Sequence, residues 1–218
     1  MRIYRQVPSP NFTKGRNGFN PEAIVIHIMD GTLTGTDSWF QNSASQVSAH
    51  LGVGQSGEVH QYVDFANSAW HTGRVNAPVW RLIKTNANGG YINPNQYTIG
   101  IEHEGQADMD WSDAMYNASA QVIHDLSATF NIPLDRDHII GHHEIYSLKT
   151  CPGSRVDLNR LIQLASLAIS HSISMSDDDS DTSDEKNDSS NDQYTFEGYD
   201  IEVNRKIELT PINIKPQA

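Results

Sequence analysis

Apolar positions fall in short runs over most of the chain and take up helical spacing in only a few places. The run Ala23-Ile24-Val25-Ile26-His27-Ile28-Met29, bounded by Pro21 and by Asp30-Gly31, predicts a buried strand. Thr34 to Asn42 predicts a short helix with Thr36 as its cap, ahead of Trp39 and Phe40. Val47 to Val53 and Glu58 to Val63 predict two strands joined through the turn residues Gly54-Gln55-Ser56-Gly57. Residues 69 to 94 are loop-rich, and long loops of this kind are usually functional. From Thr98 to Gly105 a strand would place Ile99, Ile101 and His103 on one face and Gly100, Glu102 and Glu104 on the other. One side packs, and the other presents carboxylates beside a missing side chain. Ala114, Ala118, Val122, Leu126 and Phe130 mark a helix over Ser112 to Phe130, ended by Asn131-Ile132-Pro133. His138-Ile139-Ile140 predicts a further short strand, and Asp157 to Ile173 a last amphipathic helix. There are no internal repeats. The expectation is a mixed α/β domain over residues 1–175, a central mixed β-sheet flanked by helices.

Charge changes the picture at the C-terminal side. The formal net charge is -12, and residues 176–192 hold eight acidic residues against one lysine, with no apolar residue among them. Such a segment cannot offset the entropy of ordering and is expected to be a solvated, disordered linker. Asp177, Asp179 and Asp181 resemble the opening of a calcium loop, but Thr182 and Asp188 stand where glycine and glutamate are needed. Residues 193–218 are β-prone in places and too short for an independent domain. The acidic balance argues against nucleic acid as a partner. No run approaches the roughly 18 apolar residues of a membrane span, and Met1 to Pro8 lacks the apolar core of a signal peptide. A single cysteine excludes an internal disulfide.

The chemistry concentrates in Gly141-His142-His143-Glu144-Ile145-Tyr146-Ser147-Leu148-Lys149-Thr150-Cys151-Pro152-Gly153. Imidazole nitrogen and thiolate sulfur are the ligands that a borderline-soft ion such as zinc prefers, and Pro152-Gly153 would turn the chain just past the sulfur. His27 is the natural third ligand, because an imidazole inside an apolar run needs a reason to be buried. Taken singly, each of these residues has a plainer reading. His27 could be a hydrogen-bonded core histidine, Cys151 a small buried residue, Lys149 a solvent-facing cation and Glu102 half of an ion pair. His50 reads as structural. Trp80, Tyr91 and Trp111 could stack on a sugar or peptide or belong to the core.

Five motifs in order decide between these readings: Ile24-Val25-Ile26-His27, Ser48-Ala49-His50, Ala69-Trp70-His71-Thr72-Gly73, Ile99-Gly100-Ile101-Glu102, and Gly141-His142 with Lys149-Thr150-Cys151-Pro152-Gly153. Over about residues 9–165 the chain resembles the type-2 N-acetylmuramoyl-L-alanine amidases, a family that takes in phage endolysins, bacterial cell-wall amidases and peptidoglycan recognition proteins. The resemblance implies that family's fold, with one zinc ion at an edge of the sheet held by His27, His142 and Cys151. His142 is preferred to His143 because the family's ligand directly follows the glycine. It also implies Glu102 as the catalytic base and Lys149 as the family's lysine two positions before the last ligand. His71, with Trp70 in a loop, is a candidate either to line the substrate groove or to pack. The implied reaction is hydrolysis of the amide between the lactyl group of N-acetylmuramic acid and L-alanine in peptidoglycan or muropeptide. A non-catalytic muropeptide-binding module of the same fold is the alternative, disfavoured because Cys151, Glu102 and Lys149 are all present. Synthesis in the cytoplasm with release through a holin-made lesion, as for an endolysin, is the expected setting, and a cytoplasmic muropeptide-recycling role the other.

Overall fold

The structure, a computed structural model, describes residues 4–174. The acidic segment 176–192 and the β-prone segment 193–218 lie outside the described residues. Eight strands are present among those described: β1 Arg5–Gln6, β2 Phe12–Thr13, β3 Ala23–Ile28, β4 Leu51–Val53, β5 Val59–Gln61, β6 Ser68–Ala69, β7 Thr98–His103 and β8 Ile139–Gly141. Three α-helices accompany them: α1 Leu33–Gln41, α2 Asp113–Phe130 and α3 Leu158–Ser174. Six strands form one mixed sheet in the order β1-β5-β4-β7-β3-β8, and β2 pairs with β6 apart from it. Within the six-stranded sheet β3 runs parallel to both β7 and β8, β7 parallel to β4 and β1 parallel to β5, and β4 and β5 are the antiparallel pair; β2 and β6 are antiparallel too.

Every residue of β3 is buried, as expected of a central parallel strand covered on both faces. Ile24 and Ile26 point to one side and pack with Ile99 and Ile101 of β7 against Met115, Ile123 and Leu126 of α2 and Leu158 and Leu161 of α3. Ala23 and Val25 point to the other, where Trp80, Tyr97 and Ile145 from the long loops close over them. A third cluster, Val7, Phe40, Ala49, Tyr62, Val63 and Ala69, seats α1. Loop 70–97 is thus the cover of the second face, which is why it carries so many aromatic residues. Trp80 and Trp111 are buried core residues; Tyr91 is exposed.

The predicted elements appear with shifted ends. α1 is capped by Thr32, whose hydroxyl accepts the Gly35 N–H, while Thr36 is a buried residue inside the helix and not its cap. Ser112 caps α2 by accepting the Met115 N–H, and Asn131 ends it in the left-handed conformation at φ 57°. The strand expected from Val47 shortens to Leu51–Val53; the backbone N–H of Ser48 donates to Trp70 O at 3.1 Å, in a loop outside the six-stranded sheet. The turn at Gly54–Gly57 closes the antiparallel pair, with Gly54 N–H donating to Glu58 O at 2.8 Å.

Candidate active site

Parallel register builds the site. On β3 and β7, His27 lies directly beside Glu102 and Val25 beside Gly100, so both functional side chains emerge on one face at the carboxyl ends of neighbouring strands. β8 pairs its last residue, Gly141, with Ile26, so that His142 enters beside His27. The centre therefore sits near the β8 edge of the sheet, at the strand ends where open α/β sheets place their ligands. A 3-10 turn over His142–Glu144 and the loop to Gly153 then return Cys151 to the same point. Two contacts pin that return: the backbone N–H of His143 donates to Cys151 O at 3.2 Å, and its ring Nδ1 donates to the same oxygen at 3.0 Å. His143 thus holds the loop and is not in the cluster. Gly153 stands at φ +112°, where an L side chain is strained, and a Cβ there would fall on the Ala107 carbonyl.

His27, His142 and Cys151, all buried, offer ligand atoms within 4.8 Å of one another. The His142 ring is oriented unambiguously. Its Nε2 lies 3.0 Å from the Thr72 carbonyl, which can only accept, so Nε2 carries the proton and Nδ1, 3.3 Å from Cys151 Sγ, keeps its lone pair. Glu102 places Oε1 4.0 Å from His27 Nδ1, and its Oε2 is buried with no hydrogen-bond partner among the described residues.

Burial governs the protonation of all four groups. It drives His27 well below the ordinary imidazole value, with His142 the next cause, and takes His142 down to about 4. Burial pushes the Cys151 thiol up to about 12, aided by Glu102 and opposed by Lys149. Glu102 is pushed up to about 8 by burial and then by the charge of Asp30, with Lys149 opposing. A pocket that leaves two imidazoles neutral while disfavouring a thiolate and a carboxylate is one that a cation would stabilise. The donor set, the unprotonated Nδ1 of His142 and the orphaned Glu102 oxygen all fit a zinc ion.

The cleft over this centre has a volume of about 230 Å³ and is lined by His27, Asp30, Glu102, His142 and Lys149 on its polar side. Trp39, Phe40, Val47, Trp70 and His71 also line it, and Trp39 is 55% exposed. Lys149 is exposed and, among the described residues, has no carboxylate within ion-pair distance. It also borders a second, more apolar cleft with Val79, His143 and Gly153. The sequence reading brought forward His27, Glu102, Lys149, His142, Cys151, Trp70 and His71, and all seven border or form this one site. It did not bring forward Asp30, Thr72, Asn95 or Trp39. Asn95 stands just past the loop-rich stretch 69–94, and nothing local says that it reaches back to residues 71 and 72.

Comparison with known proteins gives the class as an amidase. A family model described as N-acetylmuramoyl-L-alanine amidase matches residues 17–154, and the chain belongs to that family. N-acetylmuramoyl-L-alanine amidase A of Achromobacter lyticus is 36% identical over 129 residues, which span 58% of this chain and 61% of that relative. The 1,6-anhydro-N-acetylmuramyl-L-alanine amidase AmpD of Salmonella typhimurium is 31% identical over 183 residues, spanning 75% of this chain and 91% of that one. The crystal structure of a selenomethionine AmpD derivative superposes with a TM-score of 0.61 at 27% identity, covering 75% of this chain and 95% of the other.

Proposed function

We propose that this chain is a zinc-dependent amidase that hydrolyses the bond between the lactyl carbonyl of N-acetylmuramic acid and the amine of L-alanine. The observation that carries the reading is the meeting of His27, His142 and Cys151 within 4.8 Å, beside a glutamate with an unpartnered buried oxygen. His27, His142 and Cys151 would hold the metal. When bound, zinc supplies Lewis-acid polarisation and lowers the pKa of water at the site.

The chain's own residues do the rest. Glu102, with a proton affinity raised by its surroundings, takes a proton from the attacking water as the new C–O bond forms. As the C–N bond breaks, Glu102 returns that proton to the departing nitrogen, so the L-alanine amine leaves neutral. Lys149, at the rim of the same cleft and without a carboxylate partner, faces the charge that builds on the carbonyl oxygen. Trp70 also lines the groove, and its indole N–H donates to Thr13 Oγ1 at 2.9 Å, which limits the positions that the ring can take.

Digestion of purified peptidoglycan tests the reading. New L-alanine amino groups without new reducing sugar ends, abolished by chelator and restored by zinc, are expected; muropeptide binding without release of either would move the chain to the binding-module class. Two settings fit the chemistry. Cross-linked polymer is the substrate if the protein works as an endolysin or another cell-wall lytic enzyme released from the cytoplasm. Soluble 1,6-anhydro-muropeptide is favoured by the likeness to AmpD, which extends over 91% of that relative. Parallel assays on the two substrates separate them.

A further inference from the structure

We propose that His71 is a positioning residue: it fixes the tautomer of His27 and aims that ring's Nδ1 at the metal. The proposal rests on the zinc reading above. Its starting point is a chain of hydrogen bonds whose direction is set at its far end. Pro94 O can only accept, and Thr98 Oγ1 donates to it at 2.7 Å, so the single hydroxyl hydrogen of Thr98 is committed. His71 Nε2, 3.2 Å from Thr98 Oγ1, must then be the donor of that pair. A neutral His71 protonated at Nε2 has its lone pair at Nδ1. His27 Nε2 lies 3.1 Å from that atom and must in turn donate to it. His27 is left with its lone pair on Nδ1, the atom turned toward Glu102. A protonated His71 would set two N–H groups against each other at this contact, and among the described residues it has no carboxylate partner to favour that form.

The surroundings are shaped for this ring. Gly100 sits beneath it at mid-strand, where a Cβ would come within 2.5 Å of His71 Cγ and 2.6 Å of its Nδ1. Asn95 Oδ1 accepts from the backbone N–H groups of His71 at 3.2 Å and Thr72 at 2.9 Å, and from the Thr72 hydroxyl at 2.7 Å. Thr72 then offers its own carbonyl to His142 Nε2 at 3.0 Å. Two consecutive residues thus orient both histidine ligands, one through a side chain and the other through the backbone, and both present Nδ1. This is how outer partners fix the rings of metal-ligating histidines. With both ring nitrogens engaged, His71 walls the groove without offering either nitrogen to substrate.

Zinc affinity, measured by competition with a chromophoric chelator, tests the assignment on the full chain. His71→Leu is expected to bind zinc about 10- to 100-fold more weakly than wild type. His71→Asn, whose Oδ1 can replace the acceptor at Nδ1, is expected to stay much closer to wild type. A long-range proton–nitrogen correlation spectrum of the zinc-loaded wild-type protein should place the protons of both His27 and His71 on Nε2, a readout that needs no variant to fold. Wild-type affinity in a folded His71→Leu, or a proton on His71 Nδ1, would overturn the proposal while leaving the zinc site standing. No zinc binding by the wild-type protein would overturn the metal reading and this one with it.

Discussion

Glu102 and Lys149 differ in what their removal leaves behind. Glu102→Gln keeps the shape and hydrogen-bonding reach of the side chain but cannot take a proton. Turnover is expected to fall about a hundred- to ten-thousandfold, with one zinc per chain retained. Amino-group release measured beside metal content checks this, and near-wild-type turnover would remove Glu102 from the role of base. Lys149→Met keeps the aliphatic stem and loses only the charge. Its loss should appear in kcat, by roughly a hundred- to a thousandfold, with KM and zinc content little changed. A mutant altered in KM alone would make Lys149 a binding residue. These two, with His27, His142 and Cys151, stood out in the sequence because five ordered motifs carry them together; taken singly, each residue type had a plainer reading. The role of His71 was not legible, because a ring's two hydrogen bonds depend on which loop atoms reach it. In the sequence it stood only as a candidate lining the groove.

At the scale of the element, the alternation of β7 was read correctly as far as His103: Ile99 and Ile101 face α2 and α3, while Gly100 and Glu102 face the site. Glu104, expected on the same face as Glu102, stands past the strand's end, and its carboxylate accepts the N–H groups of Leu33 and Gln55 instead. The reason for a glycine at position 100 lay outside the strand, in a loop residue 29 positions earlier. Gly100→Ala is expected to destabilise the protein by about 1–3 kcal/mol, since the methyl group overlaps the His71 ring and not a flexible chain end. It should also weaken zinc binding in the same direction as His71→Leu, because the displaced ring can no longer meet His27. Denaturant unfolding and the chelator competition measure the two effects. Destabilisation without loss of metal affinity would separate packing from positioning. Helix caps show the opposite kind of legibility. The helix expected to begin at Ser112 does so, with Ser112 as its cap, whereas the cap expected at Thr36 is Thr32, one of three threonines near that helix start.

For the whole molecule, the family match over residues 17–154 and the described elements, ending with α3 at Ser174, all precede the acidic segment. A chain cut after residue 179 is therefore expected to keep its fold, its zinc and its turnover of soluble muropeptide; loss of turnover would give the remaining segment a part in the site. Acid stability follows from buried histidines. His50 is fully buried, accepts the Gly100 N–H at 3.0 Å and lies 2.8 Å from the Arg16 guanidinium. Burial, and then the Arg16 charge, take it from 6.5 down to about 3, and burial takes His103 to about 3 as well. Between those values the unfolded chain binds protons that the folded chain refuses, so acid favours unfolding. Stability from each histidine is complete above about pH 6.5 and is lost as the pH falls towards 3, by up to about 1.4 kcal/mol per pH unit. The Tm of the metal-free protein should therefore drop steadily from pH 7 to pH 4, and the drop should be shallower in His50→Gln. Metal-free protein is the right form to melt, since zinc release in acid would otherwise add its own slope. A Tm that holds level over that range would mean that these imidazoles stay reachable by protons in the folded state.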